Sequence, residues 1–243
     1  MREVCWFSCG ATSAIATKLA CRSKDEVKIV YTQIEEEHVD NLRFLRECES
    51  WFGREITILR NDKYHASIYE VFERERYLVG PMGAPCTKYL KRKLRERFQQ
   101  PGDVHILGFS IEEQGRADEF VDRNPDLSCR FPLIEYSLAK SDCLAMVRDA
   151  GIELPAMYAL GYEHNNCVGC VKGGAGYWNK IRRDFPGVFE RMAQTERKIG
   201  ASILRVKGQS VYLDALDPVA GRGQRQPAIE CGVFCQMAKD DIG

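Results

Sequence analysis

Short apolar stretches alternate with longer segments of helical spacing along most of the 243-residue chain. Residues 4–8 predict a strand and 13–21 a helix. Residues 27–34 are rich in β-branched side chains and predict a second strand. Val39, Leu42, Phe44, Leu45 and Cys48 then recur with the spacing of one helical face across 38–51. Residues 55–59 predict a third strand, 67–77 a helix, and 85–98 a helix with Pro85 in its first turn. Residues 104–109 predict a fourth strand and 131–134 a fifth. This alternation predicts an α/β fold: an open, mostly parallel twisted sheet with helices on both faces. The last third differs. Cysteine and glycine concentrate in 167–176, helices are predicted over 177–185 and 186–199, and a Gly/Pro/Arg-rich stretch at 217–227 reads as a mobile loop leading to a short tail. One α/β domain over 1–165 is expected, with a Cys-containing C-terminal extension over 166–243 packed on it.

Composition removes several classes of function. Lys plus Arg and Asp plus Glu both number 35, so no global charge draws the chain to nucleic acid or membrane. No apolar run reaches membrane-spanning length, and the first ten residues do not read as a signal peptide. A cytoplasmic protein with no membrane partner is expected. The 11 cysteines are an odd number, which does not suit a framework of disulfides. Cys5, Cys21, Cys48 and Cys143 fall in apolar or helical surroundings and read as packing.

Three segments carry candidate chemistry. Ser8-Cys9-Gly10-Ala11-Thr12-Ser13 joins the first strand to the first helix, and its small residues would let backbone N–H groups converge on an anion. The same hexapeptide suits a tight turn with a serine cap. Cys167-Val168-Gly169-Cys170 has the C-x-x-C spacing of two thiolates on one metal, or of a redox pair. Cys86 follows Pro85, and its helical face continues as Leu90, Leu94 and Phe98 toward the interior. On the same helix Lys88, Lys91, Arg92, Lys93, Arg95 and Arg97 form a basic run. It reads as a solvated face, as a surface steering an anionic nucleotide, or as a contact for a nucleic-acid backbone.

The hexapeptide resembles the PP-loop Ser-Gly-Gly-x-Asp-Ser of the adenine nucleotide alpha hydrolases, with Cys9 for a glycine and Thr12 for the aspartate. Tyr31-Thr32-Gln33, Gly108-Phe109-Ser110 with Glu113 and Arg116, and Pro132-Leu133-Ile134 followed by Lys140, Asp142 and residues 151–162 resemble, in order, segments of the phosphoadenosine phosphosulfate (PAPS) reductase family. Ser110 stands where that family has an arginine. Cys86, Cys167-x-x-Cys170 and Glu230-Cys231-Gly232 resemble the iron–sulfur branch of the family.

The resemblance implies an adenine nucleotide (PAPS, APS or ATP) bound by Ser8–Ser13, Tyr31–Gln33, Gly108–Ser110 and Arg116 in the 1–165 domain. It implies a 4Fe–4S cluster, in preference to zinc, on Cys86, Cys167, Cys170 and Cys235, with Cys129 and Cys231 as other candidates for the last ligand. Cys231 would be the nucleophile of a sulfonucleotide reductase releasing sulfite, with a thioredoxin-like reductant as partner. The aspartate missing at Thr12 counts against ATP cleavage. An ATP-dependent sulfur transferase acting on nucleic acid, or a catalytically silent partner subunit, are the other expectations. An assembly of identical chains is compatible with all three.

Overall fold

The computed structural model describes residues 1–22, 26–80, 83–206 and 208–223. In chain order the elements are β1 (Arg2–Trp6), α1 (Ala11–Ala20), β2 (Glu26–Thr32), α2 (Asn41–Phe52), β3 (Ile56–Leu59), α3 (Ile68–Glu75) and α4 (Pro85–Thr87). A π-helical stretch, Lys88–Arg92, joins α4 to α5 (Lys93–Phe98). β4 (Val104–Ile106), α6 (Gln114–Arg123), β5 (Ser128–Arg130), α7 (Pro132–Glu135), α8 (Lys140–Asp149), α9 (Ala156–Ala159), α10 (Ala175–Asp184) and α11 (Pro186–Ile199) follow, then a hairpin of β6 (Leu204–Val206) and β7 (Gln209–Val211).

β1 to β5 form one sheet of order β3-β2-β1-β4-β5 in which every pairing is parallel. Parallel strands need crossover connections, and helices supply them on both faces, as the sequence pattern predicts. Alternation along the strands divides the core. Cys5, Val27, Ile29, Tyr31, Val104 and Ile106 face α1, α2, α7 and α8. Val4, Trp6 and Val30 face the opposite way, toward Phe120 of α6 and Phe98 of α5. This is a Rossmann-like α/β arrangement. The strand order reverses direction between β1 and β4, and open α/β sheets bind ligands outside the carboxyl ends of strands at such a switch point.

A third apolar core joins α3 and α4 to the C-terminal part of the chain. Ile68, Phe72, Cys86 and Leu90 share it with Cys167, Cys170, Trp178, Phe189 and Leu213. The described residues after 166 therefore share a core with α3 and α4. One strand differs from the pattern: β5 is Ser128–Arg130, and the expected strand at 131–134 is the short helix α7. Pro132 explains the difference, because it has no N–H for a ladder but suits a first helical turn. Cys5, Cys48 and Cys143 are buried in the core, and the nine cysteines among the described residues are free thiols. Among the described residues no helix is long and apolar enough to cross a membrane.

Candidate functional site

The loops after β1, β2 and β4 meet at the carboxyl edge of the sheet. The loop after β1 is tightly folded on its own hydroxyls. Ser13 Oγ accepts from the Ser8 N–H and from Ser8 Oγ, both at 3.1 Å, and donates to the Gly10 carbonyl at 2.9 Å. Cys9 has φ 56, in the left-handed region that favours glycine, and its thiol is buried. Cys9 therefore holds a backbone conformation that glycine adopts more readily. Gly10 caps α1, whose first-turn N–H groups lie outside the helical ladder and can face an anion. The Ala11 N–H donates to Tyr158 Oη at 3.4 Å.

The β4 loop packs backbone to backbone on this turn. A Cβ on Gly108 would lie 2.9 Å from Ser13 Cα, so a side chain there would push the two loops apart. Phe109 stacks on Phe131 at 5.7 Å, and the Arg116 guanidinium covers the Phe109 ring at 5.0 Å. Arg116 also pairs with Glu113. Ser110 is buried and forms a capping box with Glu113, so it starts the next helical turn. On the β2 side Tyr31 and Thr32 are buried and Gln33 is partly exposed. Tyr31 Oη donates to Glu37 Oε2 at 2.6 Å. Burial pushes the Glu37 carboxyl above its usual range, against the pull of Lys91 and of its bonds from Tyr31 and Asn41.

Cys86, Cys167 and Cys170 come together. With Thr87, Lys91, Ile34, Ile68, Phe72 and Val171 they line one cavity beside the end of β2, with ≈ 290 Å³ of empty space when its open mouth is included. The C-x-x-C loop is held from behind by Tyr177. Its Oη accepts the N–H groups of Gly169 and Cys170, both at 3.0 Å, and donates to the Cys167 carbonyl at 3.3 Å. Gly173 is required by the same contact, since a Cβ there would lie 2.0 Å from the Tyr177 ring. Among the described residues no three His, Cys, Asp or Glu side chains are grouped closely enough to hold a metal ion. The three cysteines share the walls of the cavity.

Other expectations fall elsewhere. Cys129 lies on β5 in the core of the opposite sheet face, away from the cavity. Cys231 and Cys235 lie outside the described residues. The basic run is not wholly a solvated face. Lys91 is 5% and Arg95 3% exposed, while Lys88 and Arg97 face solvent. A π-helical stretch turns less per residue than an α-helix, and here it swings Lys91 inward beside Leu90. Two further side chains of the site, Asn41 and Asn165, escaped the sequence reading. The signal was the uncharged Asn165-Asn166 pair directly before Cys167. Compared with models of known protein families and with curated proteins, the chain matches none.

Proposed function

We propose that the protein binds an adenine nucleotide at the carboxyl ends of β1, β2 and β4 and carries a cysteine-ligated iron–sulfur cluster beside it, and that it reduces a sulfonucleotide to sulfite. The observation that supports this reading is that Cys86, Cys167 and Cys170, distant in sequence, line one cavity next to the end of β2. Three buried thiols on the walls of one cavity are soft donors of the kind a cluster takes; they are not gathered as around a single ion, and the resemblance favours the cluster over zinc. Cys86, Cys167 and Cys170 would hold it with a fourth cysteine from the tail. When bound, such a cluster supplies an electron-poor, redox-capable centre next to the nucleotide.

The root of the tail, at Gly221, supports the proposal. Gly221 is seated on Gly176 at the start of α10, shortly after the C-x-x-C loop. Cys231 follows the last described residue, Gly223, by eight residues, which extended span at most about 29 Å. In the proposed reaction the Cys231 thiolate attacks the sulfur of the bound sulfonucleotide. The sulfur–oxygen bond to the nucleoside phosphate breaks and that phosphate leaves. A second thiol then attacks Cys231 Sγ, sulfite leaves with the electron pair, and a disulfide remains. An external dithiol returns both cysteines to thiols. The burial of Lys91 and Arg95 leaves the basic helix a poorer surface for a nucleic-acid backbone.

Anaerobic purification with iron and sulfide analysis tests the reading. Cys86→Ser, Cys167→Ser and Cys170→Ser should each lose iron, while Cys129→Ser keeps it. Calorimetry should detect adenosine 5′-phosphosulfate or its 3′-phosphorylated form, and Cys231→Ser should bind it without releasing sulfite. A colourless, iron-free wild type, or iron retained in all three serine variants, would overturn the cluster.

A further inference from the structure

One buried side chain joins the two candidate sites. Asn165 is 7% exposed, and its Nδ2 donates to the Cys9 carbonyl at 2.7 Å and to Asn41 Oδ1 at 2.8 Å. Asn41 Nδ2 donates in turn to Glu37 Oε2 at 2.9 Å, the same oxygen that receives the Tyr31 hydroxyl. Cys167 comes two residues after Asn165, and the Val168 N–H donates to the Glu36 carbonyl at 2.8 Å. The cysteine loop is thus fastened once to the loop after β1 and once to the loop after β2.

The joint is not fully relaxed. Cys9 has a left-handed backbone, and Asn165 Oδ1 is buried without a hydrogen-bond partner. The amide cannot improve matters by turning over. Its nitrogen lies between two carbonyl-type oxygens, which would then face a third oxygen. A buried acceptor left open is unfavourable, and a small movement of the joint could change that balance. The Cys9 carbonyl also belongs to the same planar peptide as the Gly10 N–H. An anion that draws the Gly10 N–H toward itself must rotate that carbonyl, and the carbonyl is what Asn165 holds.

We propose that Asn165 is a positioning residue that couples the loop at 8–13 to the cysteine loop at 167–170. Anion binding at the first loop turns the Cys9–Gly10 peptide, and Asn165 transmits the movement to Cys167. The coupling is reciprocal, so a change at the cysteine cavity alters affinity at the first loop. The inference rests on the proposed function in taking residues 8–13 as the nucleotide site.

Hydrogen exchange on the full-length protein tests it, with adenosine 5′-phosphosulfate as the probe and binding first established by calorimetry. In the wild type the nucleotide should slow exchange at 8–13 and also at 167–170. Asn165→Asp keeps the shape but loses both donors. It should bind within about thirtyfold of wild type, the scale of two lost hydrogen bonds, and protect 8–13 only. Protection confined to 8–13 in the wild type, or kept at 167–170 in the variant, overturns the coupling. Should Asn165→Asp fail to fold, the wild-type measurement decides alone. If no nucleotide binds, the proposed function falls, and the same measurement with inorganic phosphate decides the coupling separately.

Discussion

Gly176 and Gly221 pack backbone against backbone: a Cβ on Gly176 would lie 2.5 Å from the Gly221 carbonyl oxygen, and one on Gly221 would lie 2.3 Å from the Gly176 nitrogen. Asn179 Nδ2 fixes the same turn by donating to the carbonyls of Asp217 and Ala220, both at 2.9 Å. The root of the tail is therefore pinned to the first turn of α10. Gly221 has φ +71, and Gly223 has φ +73 with open space around it. Gly223→Ala should cost only the left-handed strain, about 1 kcal/mol. Gly221→Ala adds a clash with backbone and should cost more, lowering the melting temperature by about 2–4 °C for each kcal/mol lost. Thermal unfolding of the two variants checks this, and equal melting temperatures would remove the pin.

Tyr177 is the support of the C-x-x-C loop, and its hydroxyl oxygen accepts two buried N–H groups. Tyr177→Phe keeps the ring against Gly173 but leaves the Gly169 and Cys170 N–H groups without that acceptor. A buried donor left open costs about 1–3 kcal/mol, so urea unfolding should show a loss of about 2 kcal/mol or more. Where iron is bound, a chelator should remove it faster from this variant than from wild type. A variant as stable as wild type would mean that the loop finds its bonds elsewhere.

The sheet was legible because its strands are short, apolar and separated by helical spacing, as in 27–34 followed by 38–51. The cysteine cavity was legible in part, because Pro85-Cys86 and Cys167-x-x-Cys170 are local patterns. Asn165 and Asn41 were not, because a hydrogen bond between residues on different elements leaves no periodicity in the chain. The fifth strand was misplaced because Phe131, Leu133 and Ile134 are as apolar as a strand, while β5 itself (Ser-Cys-Arg) has almost no apolar signal. The basic helix misled for another reason. Spacing assigns a helical face on the assumption of 3.6 residues per turn, and Lys91 lies within the π-helical stretch, where that assumption fails.

Cys9 shows what such a departure means energetically. Its φ of 56 suits glycine, yet its thiol is buried and its Sγ lies 3.8 Å from the Asn41 carbonyl. Cys9→Ala loses the sulfur packing and keeps the strain. Cys9→Gly loses the same packing but relieves a left-handed conformation worth about 1–2 kcal/mol. Cys9→Gly should therefore be more stable than Cys9→Ala, with the difference reduced somewhat by the greater freedom of glycine in the unfolded chain. Denaturant unfolding of the pair measures it, and the reverse order would show that the loop holds no strain at Cys9.

His105 gives the fold a pH dependence of defined sign. It is 2% exposed, and its Nδ1 accepts from Trp6 Nε1 at 3.0 Å. An indole N–H only donates, so Nδ1 carries no proton, and protonating the ring would break this bond. Burial, and then the charge of Arg95, bring the His105 pKa down to about 4, with Asp103 opposing and Arg2 adding to the effect. An unfolded histidine titrates near 6.5. Between these values the unfolded chain binds a proton that the folded chain refuses. The contribution of neutral His105 is therefore complete above about pH 6.5 and is lost as pH falls toward 4, on the order of 3 kcal/mol in all. Glu36 and Glu37, whose carboxyls burial raises, act in the opposite sense, so comparison with His105→Gln isolates the histidine. Stability of that variant should fall less steeply than wild type from pH 6.5 to 4.5, and the His105 ring should titrate near 4 by nuclear magnetic resonance. A midpoint at 6 or above would mean that the buried Trp6–His105 bond does not exclude the proton.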